Sequence, residues 1–328
     1  ISLIIVNNQE EKSITRDIND KIRITRINRP AGSKNPFYIF ALNYLLWKRH
    51  YDIIHVHVPN TIKFIFLKAI TNKICLTVHD LALVHCRSYI VKLSIHFKRC
   101  SDKYKHIFAI SNSVQEDLAK YLKRKVPIVL NGIDCTNIVS QKGVTDHPVF
   151  RIVQIGRLVH TKKGQDILIE AVSILHQKGY KNISVDLIGD GESKSFLKNL
   201  VKSKQLEEQI HFLGSKEQSY IFSHLKEYDL FVQPSRKEGF GLTVTEAMAA
   251  KVPVLVSNQE GPMEIIENGK YGYYFKSDDA TNCAHEIEKI MNTPTHEIVS
   301  KAYQQVISRF NVKKTAQEYI EQYKKINS

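Results

Sequence analysis

Short runs of apolar, mostly β-branched residues alternate along the chain with amphipathic segments of helical length. In the first half, six such runs predict buried strands, at residues 3–6, 22–27, 53–58, 74–78, 107–110 and 126–130. Four segments among them have apolar positions at helical spacing, at residues 37–48, 61–70, 89–99 and 113–122. Strands and helices in this alternation predict a doubly wound α/β fold with a parallel sheet.

A second alternating series begins near residue 150. It predicts helices at residues 165–176 and 193–202 and strands at residues 152–155, 185–188, 210–213, 230–232, 254–256 and 272–275. Two open parallel sheets in one chain are expected to meet along a cleft, with ligands at the carboxyl ends of the strands.

Turn residues at Asn131, Gly132 and Asp134 end the first series, and no periodic pattern follows them up to Pro148. A chain of 328 residues fits two domains of ordinary size. We therefore predict a first domain over residues 1–140 and a second over residues 141–310. A C-terminal helix over residues 311–328 is expected to pack back on the first domain.

The positive charge lies almost entirely in the first half. Residues 1–140 hold 22 Lys and Arg against 10 Asp and Glu, so they carry +12 of the total +14. A basic surface attracts nucleic acid, anionic lipid or an anionic substrate. A nucleic-acid partner is disfavoured because no recognition motif accompanies the charge.

Cysteine usage and hydropathy indicate the compartment. Five cysteines without a Cys-x-x-Cys pair fit reduced thiols in a cytoplasmic protein. No run of about 18 uncharged apolar residues is present, which argues against a spanning helix.

The segment that starts at Glu238 carries the most informative chemistry. Glu238 precedes a glycine-rich turn, and Glu246 follows about one turn inside the next predicted helix. Backbone N–H groups at a helix start bind anions, and glycines let a ligand approach the main chain. Carboxylates beside a bound phosphate are best matched to hydroxyl groups, so the pattern indicates a nucleotide sugar. The competing interpretation makes Glu238 a solvated loop acid and Glu246 a surface helix residue.

A second polar cluster lies between a predicted strand and helix, at residues 156–164. Arg157 can donate a bidentate fork to phosphate oxygens, and Lys162 or Lys163 adds a point charge. Such cations offset the charge that develops on a departing diphosphate. Ordinary surface basicity is the alternative interpretation of this cluster.

With these motifs in order, the chain resembles the retaining, nucleotide-sugar-dependent glycosyltransferases of family 4. Glu238 and Glu246 match the family's Glu-x7-Glu signature, and residues 156–164 match its Gly-Arg…Lys-Gly segment. Shorter matches are DIIHVH at 52–57, TVHD at 77–80, ISNS at 110–113, LNGID at 130–134 and LIGDGE at 187–192. The resemblance implies the GT-B fold, in which two Rossmann-like domains face each other across a cleft.

The resemblance also implies a role for each matching residue. Glu238 is assigned to hydroxyls of the transferred sugar and Glu246 to the ribose, with Gly189 and the loop after Leu213 near the base. Arg157 and Lys163 are assigned to the phosphates, with Lys162 as a further candidate since many members have one residue fewer before the lysine. The diphosphate is expected on the backbone of Gly239, Phe240, Gly241, Leu242 and Thr243.

Histidines give a weaker signal. His79 matches a family histidine that faces the transferred sugar, whereas from the residues alone it is interpreted as a strand-end histidine. His55 and His57 are interpreted as structural because no second group of metal ligands accompanies them. No Asp-x-Asp sequence occurs, and a metal-held diphosphate needs nearby carboxylates. We therefore predict a reaction without metal and without a cofactor.

The start of the chain departs from the family pattern. Members usually open with a strand and a Gly-Gly loop that borders the phosphates and the acceptor, whereas residues 1–7 here resemble the family's second strand. We expect this departure to limit the activity of the chain.

The resemblance implies transfer of a sugar from a UDP-sugar or GDP-sugar, with UDP favoured, to a glycan or lipid-linked acceptor. Bacterial surface polysaccharide synthesis is the expected setting, with front-side substitution as the implied mechanism. A nucleotide-sugar epimerase on the same fold, or a donor-binding module inactive through N-terminal truncation, are the open alternatives. A nicotinamide dehydrogenase is disfavoured because Gly189 and Gly191 lack the third glycine of the dinucleotide fingerprint.

Peripheral contact with an anionic membrane through the basic first domain is a further expectation. Residues 88–99 mix apolar and basic side chains near the place where some family members touch membranes. A core helix with a solvated basic face is still the favoured interpretation of that segment.

Overall fold

A computed structural model of the protein describes residues 2–7, 15–19, 22–28, 37–49, 51–57, 72–79, 104, 106–140 and 148–327. By its contacts the chain divides into two compact units. The first comprises Ile1–Val78, Ala82–Phe108 and Tyr323–Ser328, and the second comprises His79–Leu81 and Ala109–Gln322. The predicted helices at 61–70 and 89–99, and the segment at 88–99, lie outside the described residues.

The contact division differs from the domain boundary that we predict at residue 140. Residues 109–140 belong to the second unit by contact, and one reason is polar. The backbone N–H and the side-chain amide of Asn112 donate to the Glu264 carboxylate at 2.8 and 2.6 Å. The boundary between folding domains remains a prediction.

The described part of the first unit holds two three-stranded sheets and one helix. Strands β1 (Ser2–Asn7), β2 (Thr15–Asn19) and β3 (Ile22–Asn28) form one sheet in the order β1-β3-β2. Helix α1 (Phe37–Lys48) follows. Strands β4 (Ile54–Val56), β5 (Ile74–Val78) and β6 (His106–Ala109) form the other sheet in that order.

Two features of this unit differ from the strand pattern that the sequence predicts. Strand β2 was not predicted because TRDIN has no apolar run, and it pairs antiparallel with β3 while β1 pairs parallel. The predicted strand at 126–130 is wrong, since Ile128 makes only an isolated bridge to Ala109. Pro127 lies beside Ile128 and has no N–H for a ladder.

The second unit is built on a six-stranded parallel sheet. Its strands are β7 (Phe150–Ile155), β8 (Ile183–Ile188), β9 (Ile210–Gly214), β10 (Leu230–Gln233), β11 (Val254–Ser257) and β12 (Tyr273–Phe275). The spatial order is β12-β11-β10-β7-β8-β9, with every neighbouring pair parallel. The order reverses between β7 and β10, so this sheet has a switch point at the carboxyl ends of these two strands.

The second unit, as far as it is described, also contains α-helices. They are α2 (Asn112–Leu122), α3 (His160–Lys163), α4 (Gln165–Gln177), α5 (Lys194–Ser203), α6 (Gln218–His224), α7 (Leu242–Ala249), α8 (Glu260–Ile265), α9 (Ala280–Met291), α10 (His296–Arg309) and α11 (Val312–Asn327). Helix α11 begins in this unit, and residues from Tyr323 onward belong to the first unit by contact. None of the helices in the described ranges has the length and apolar character that a bilayer crossing needs.

The core of the second unit explains why its strands were predictable. Ile152, Val185 and Leu230 are fully buried on one face of the sheet, together with Leu168 and Leu197 from the covering helices. Parallel strands covered on both faces have continuous apolar sequences, which is the pattern that the sequence shows. The packed sheet provides a rigid base for the loops at its carboxyl edge.

Candidate active site

The loops after β7 and β10 meet at the switch point of the sheet. Gly164 has φ +66°, and a Cβ atom on it would lie 1.9 Å from the carbonyl oxygen of Pro234. The N–H groups of Arg236 and Lys237 donate to the carbonyl of Lys162 at 2.9 and 3.2 Å. Main-chain contacts therefore join the basic loop to the loop that carries Glu238, and glycine is required at the closest approach.

An ion pair lies at this junction. The Lys163 ammonium donates to the carboxylate of Glu238, and these side chains are only 18% and 16% exposed. Gln233 donates to the same carboxylate oxygen at 3.0 Å and accepts from the hydroxyl of Thr243 at 3.2 Å. Glu238 is therefore largely buried, and hydrogen bonds from Lys163 and Gln233 fix its side chain. It is not a solvated loop acid.

Lys162 and Lys163 have different surroundings. Lys163 carries the ammonium that pairs with Glu238, whereas Lys162 contributes its carbonyl to the neighbouring loop. Both belong to the single helical turn α3, which the sequence did not predict. Because the Lys163 ammonium lies beside Glu238, Lys163 is favoured over Lys162 as the cation of the candidate site.

Helix α7 begins immediately after the glycine turn. Gly241 precedes it with φ +107°, and no side chain caps the helix start. The first N–H groups of a helix lack acceptors within the helix, so this end is suited to an anion. Leu242 and Thr243 occupy the first two helical positions, as the proposed diphosphate site requires.

Glu246 lies one turn further along α7 and is 8% exposed. Burial raises the pKa of its carboxyl to about 7, against a smaller opposing effect of a hydrogen bond from Gln218. Glu246 is therefore not a surface helix residue. A carboxyl that titrates near neutrality is typical of functional sites, although structural networks produce such shifts as well.

The loops after β8 and β9 join the same edge of the sheet. Gly189 has φ +142°, and a Cβ on it would lie 2.0 Å from the carbonyl oxygen of Gly156. The N–H of Gly189 donates to the carbonyl of Gly214 at 2.9 Å. The stretch around Gly189 and the loop after Leu213, which we predict near the base, are thus in contact. Arg157 follows Gly156 and is exposed, and its carbonyl accepts from Gln165 at 3.0 Å.

His79 approaches the glycine turn through its main chain. A Cβ on Gly239 would lie 2.9 Å from the carbonyl oxygen of His79. The Ser111 hydroxyl donates to the carbonyl of Gly239 at 3.0 Å. His79 of the TVHD motif and Ser111 of the ISNS motif therefore both lie against the turn that follows Glu238, within the second unit.

The sequence did not indicate a role for Gln233, which donates a hydrogen bond to Glu238, or for Arg236, which donates to Asp166. A signal for Gln233 was present, since it is a polar residue that ends the buried strand LFVQ directly before a turn. Within the described ranges, no three His, Cys, Asp or Glu side chains form a group that could hold a metal ion. The metal-free reaction remains a prediction.

The described fold is that of an α/β chain with charged loops at the switch point of a parallel sheet. The family model described as "Glycosyl transferases group 1" matches residues 137–309, and that described as "Glycosyltransferase Family 4" matches residues 4–137. The chain belongs to the group 1 glycosyltransferases, which confirms the family resemblance and the enzyme class.

Two relatives illustrate the similarity. An uncharacterized glycosyltransferase of Methanocaldococcus jannaschii is 28% identical over 247 residues, which cover 74% of this chain and 66% of the relative. The O-antigen biosynthesis glycosyltransferase WclY of Escherichia coli is 34% identical over 149 residues, or 44% of this chain and 40% of the relative. The chain therefore spans 66% and 40% of the lengths of these relatives.

A solved structure confirms the fold. Anabaena HepE in complex with UDP and glucose superposes with a TM-score of 0.78 at 20% identity, over 92% of this chain and 86% of that one. The predicted GT-B class, with two Rossmann-like α/β domains, is thus confirmed.

Proposed function

We propose that this chain is a retaining glycosyltransferase that moves a sugar from a UDP-sugar to a glycan or lipid-linked acceptor in surface polysaccharide synthesis. The observation that carries the proposal is the Lys163–Glu238 pair at the sheet switch point, beside the uncapped start of α7. The names of an O-antigen biosynthesis relative and of a fold neighbour with bound UDP and glucose support it.

In the proposed complex, each predicted residue meets one part of the donor. Glu238 accepts hydrogen bonds from sugar hydroxyls, and Lys163 turns from Glu238 toward the diphosphate, which Arg157 and the start of α7 also bind. Glu246 accepts from the ribose hydroxyls, with the base near Gly189. The backbone groups of residues 239–243 complete the diphosphate site, and His79 faces the transferred sugar.

The proposed chemistry is a front-side substitution. The acceptor hydroxyl oxygen bonds to the anomeric carbon on the face from which the diphosphate departs, and its proton passes to a diphosphate oxygen. The anomeric configuration is then retained, and the protein contributes positioning and charge stabilisation. We propose that this proceeds without a metal, because Lys163, Arg157 and the helix start supply positive charge.

Donor binding provides the first test. We expect UDP-glucose to bind in calorimetry with a chelator present, and to bind more tightly at pH 8 than at pH 6. Glu246 has a pKa of about 7 in the free protein, and hydroxyl donors favour its charged form, so binding releases a proton below that pH. The diester diphosphate of the donor does not titrate in this range, so Glu246→Gln is expected to remove the pH dependence.

Product analysis separates the proposal from its alternatives. Sugar found on an acceptor supports the transferase, isomerised donor indicates an epimerase, and binding without turnover indicates a donor-binding module. Absence of binding by any nucleotide sugar, with or without Mg²⁺, contradicts the proposal.

We also propose peripheral contact with an anionic membrane at its cytoplasmic face, through helix α1. Phe40, Tyr44 and Trp47 lie one helical turn apart along α1 and are 63%, 54% and 67% exposed. Leu42 and Leu46 are buried on the opposite side, so α1 is apolar on both sides. Exposed Trp and Tyr favour membrane interfaces, and a half-chain with +12 net charge attracts anionic lipid.

Vesicle co-sedimentation tests this contact. We expect the chain to bind vesicles that contain phosphatidylglycerol and to release them at high salt, since exposed charges are screened. Trp47→Ser is expected to weaken vesicle binding about tenfold, because the tryptophan side chain would bury a large apolar area in the bilayer and serine would not. Tyr274→Ser, at a 47% exposed position of the second unit, is the control. Equal binding by both variants contradicts the proposal.

A further inference from the structure

The Arg236 side chain joins three separate segments next to the Lys163–Glu238 pair. Its Nη1 and Nη2 donate to the two carboxylate oxygens of Asp166 at 2.8 and 2.9 Å. Nη1 also donates to the carbonyl of His160 at 2.7 Å, and Nε donates to Asp278 at 2.5 Å. One guanidinium therefore connects the first turn of α4, the turn α3 and the loop after β12.

Arg236 and the residues it contacts also lie close to the ion pair in the sequence. Arg236 lies two residues before Glu238, and His160 and Asp166 lie three residues on either side of Lys163. The N–H of Arg236 donates to Lys162, which adds a main-chain contact between the same loops. Movement of either loop would thus disturb the contacts of Arg236 as well as the Lys163–Glu238 pair.

The chemistry of the contact fits a geometric role. Arg236 and Asp166 are 25% and 21% exposed, and ion pairs of this kind contribute little net stability. A guanidinium presents five N–H donors in a rigid plane, whereas a lysine has three donors on one flexible point charge and cannot reproduce the four hydrogen bonds of Arg236. The network therefore fixes the relative orientation of the two loops more than it stabilises the fold.

We propose that Arg236 is a positioning residue for sugar transfer, which holds the Lys163 loop and the Glu238 loop in register for the donor. Arg236 acts through Lys163 and Glu238 and does not touch the donor. The inference rests on the proposed function for its effect on the reaction, and its effect on the two loops is independent of any ligand.

Kinetics with matched variants test the effect on transfer. Arg236→Lys and Asp166→Asn are expected to lower kcat/KM for the donor about 10- to 100-fold, since misplacing reacting groups by about 1 Å costs up to 10²-fold. Arg309→Lys is the control, because Arg309 pairs with Glu267 at 2.9 Å with side chains 33% and 34% exposed. The control is expected to stay within about twofold of the wild type, as is usual for surface pairs.

Coupling to Lys163 separates positioning from a general loss of structure. In a Lys163→Ala background, Arg236→Lys is expected to lower kcat/KM by a smaller factor than in the wild type, because one of the two groups through which it acts is already absent. If the effects of Lys163→Ala and Arg236→Lys on kcat/KM multiply fully in the double variant, the proposal is contradicted. It is also contradicted if Arg236→Lys alone leaves kcat/KM unchanged.

Amide hydrogen exchange of the ligand-free chain gives a readout that does not depend on the donor. Arg236→Lys is expected to speed exchange about tenfold in residues 160–166 and 234–240, with the strands of the sheet unchanged. Unchanged exchange in both loops overturns the inference even if transfer is confirmed. If the wild type binds no nucleotide sugar, the proposed function fails, and exchange still decides whether Arg236 holds the loops.

Discussion

Glu238→Gln should lose about 10²- to 10³-fold in sugar transfer, the range seen when one preorganised charge or hydrogen bond at a reacting centre is removed. The substitution keeps the shape of the side chain but removes the charge that pairs with Lys163 and replaces one of the two acceptor oxygens for sugar hydroxyls by an NH₂ donor. Lys163 then lacks its carboxylate partner in a largely buried position. The measurement is kcat/KM with a UDP-sugar and an acceptor, together with circular dichroism to establish folding.

A second carboxylate provides the control for this substitution. Glu288 pairs with Lys178 at 2.7 Å in the same unit, away from the loops after β7 and β10. Glu288→Gln removes one ion pair of ordinary surface type, so turnover is expected to stay near the wild-type value. If Glu238→Gln and Glu288→Gln turn over at similar rates, Glu238 does not belong to the site.

Gly164→Ala is expected to destabilise the fold by about 3–5 kcal/mol, a loss that is diagnostic of a specific structural clash. Alanine at φ +66° costs about 1 kcal/mol in backbone strain. The larger part comes from the Cβ atom, which would lie 1.9 Å from the Pro234 carbonyl oxygen, so that the loops after β7 and β10 must separate. Urea denaturation measures the loss in free energy of unfolding.

Gly179→Ala is the matched control for the clash. Gly179 has φ +99°, and a Cβ on it meets no atom within 4 Å. It therefore carries backbone strain without a steric contact, and the difference between the two variants isolates the close approach of the loops. Equal losses of stability in both variants would mean that the backbone conformation, and not the contact with Pro234, requires glycine at 164.

Much of the second unit was predictable from its apolar runs. Five of the predicted strands fall within β7 to β11, since each of these strands contains a run of mostly apolar residues, and β10 and β11 are buried at every position. Strand β2 has no such signal, because Ile18 is the single apolar residue of its sequence TRDIN. Residues 126–130 had the composition of a strand, but Pro127 cannot donate to a ladder.

The residues of the candidate site were also identified from motifs, whereas their contacts were not. Lys163 and Glu238 are 75 residues apart, and their pairing depends on the adjacency of β7 and β10. The same adjacency brings Arg236 to Asp166 and gives Gln233 its place beside Glu238. The assigned roles of His79, Arg157 and the residues of the glycine turn remain predictions.

The order of apolar and polar residues is a local property, and it was enough to predict an α/β chain. The resemblance of its motifs predicted the family and the charged groups at the loop positions. Only the tertiary structure shows the features that residues far apart in the sequence form together. These are the reversal of strand order at β7 and β10, the burial that raises the pKa of Glu246, and the ion pair between Lys163 and Glu238. Burial and charge pairing are set by neighbours far apart in the chain, so they follow from the packing of the sheet and not from any one segment.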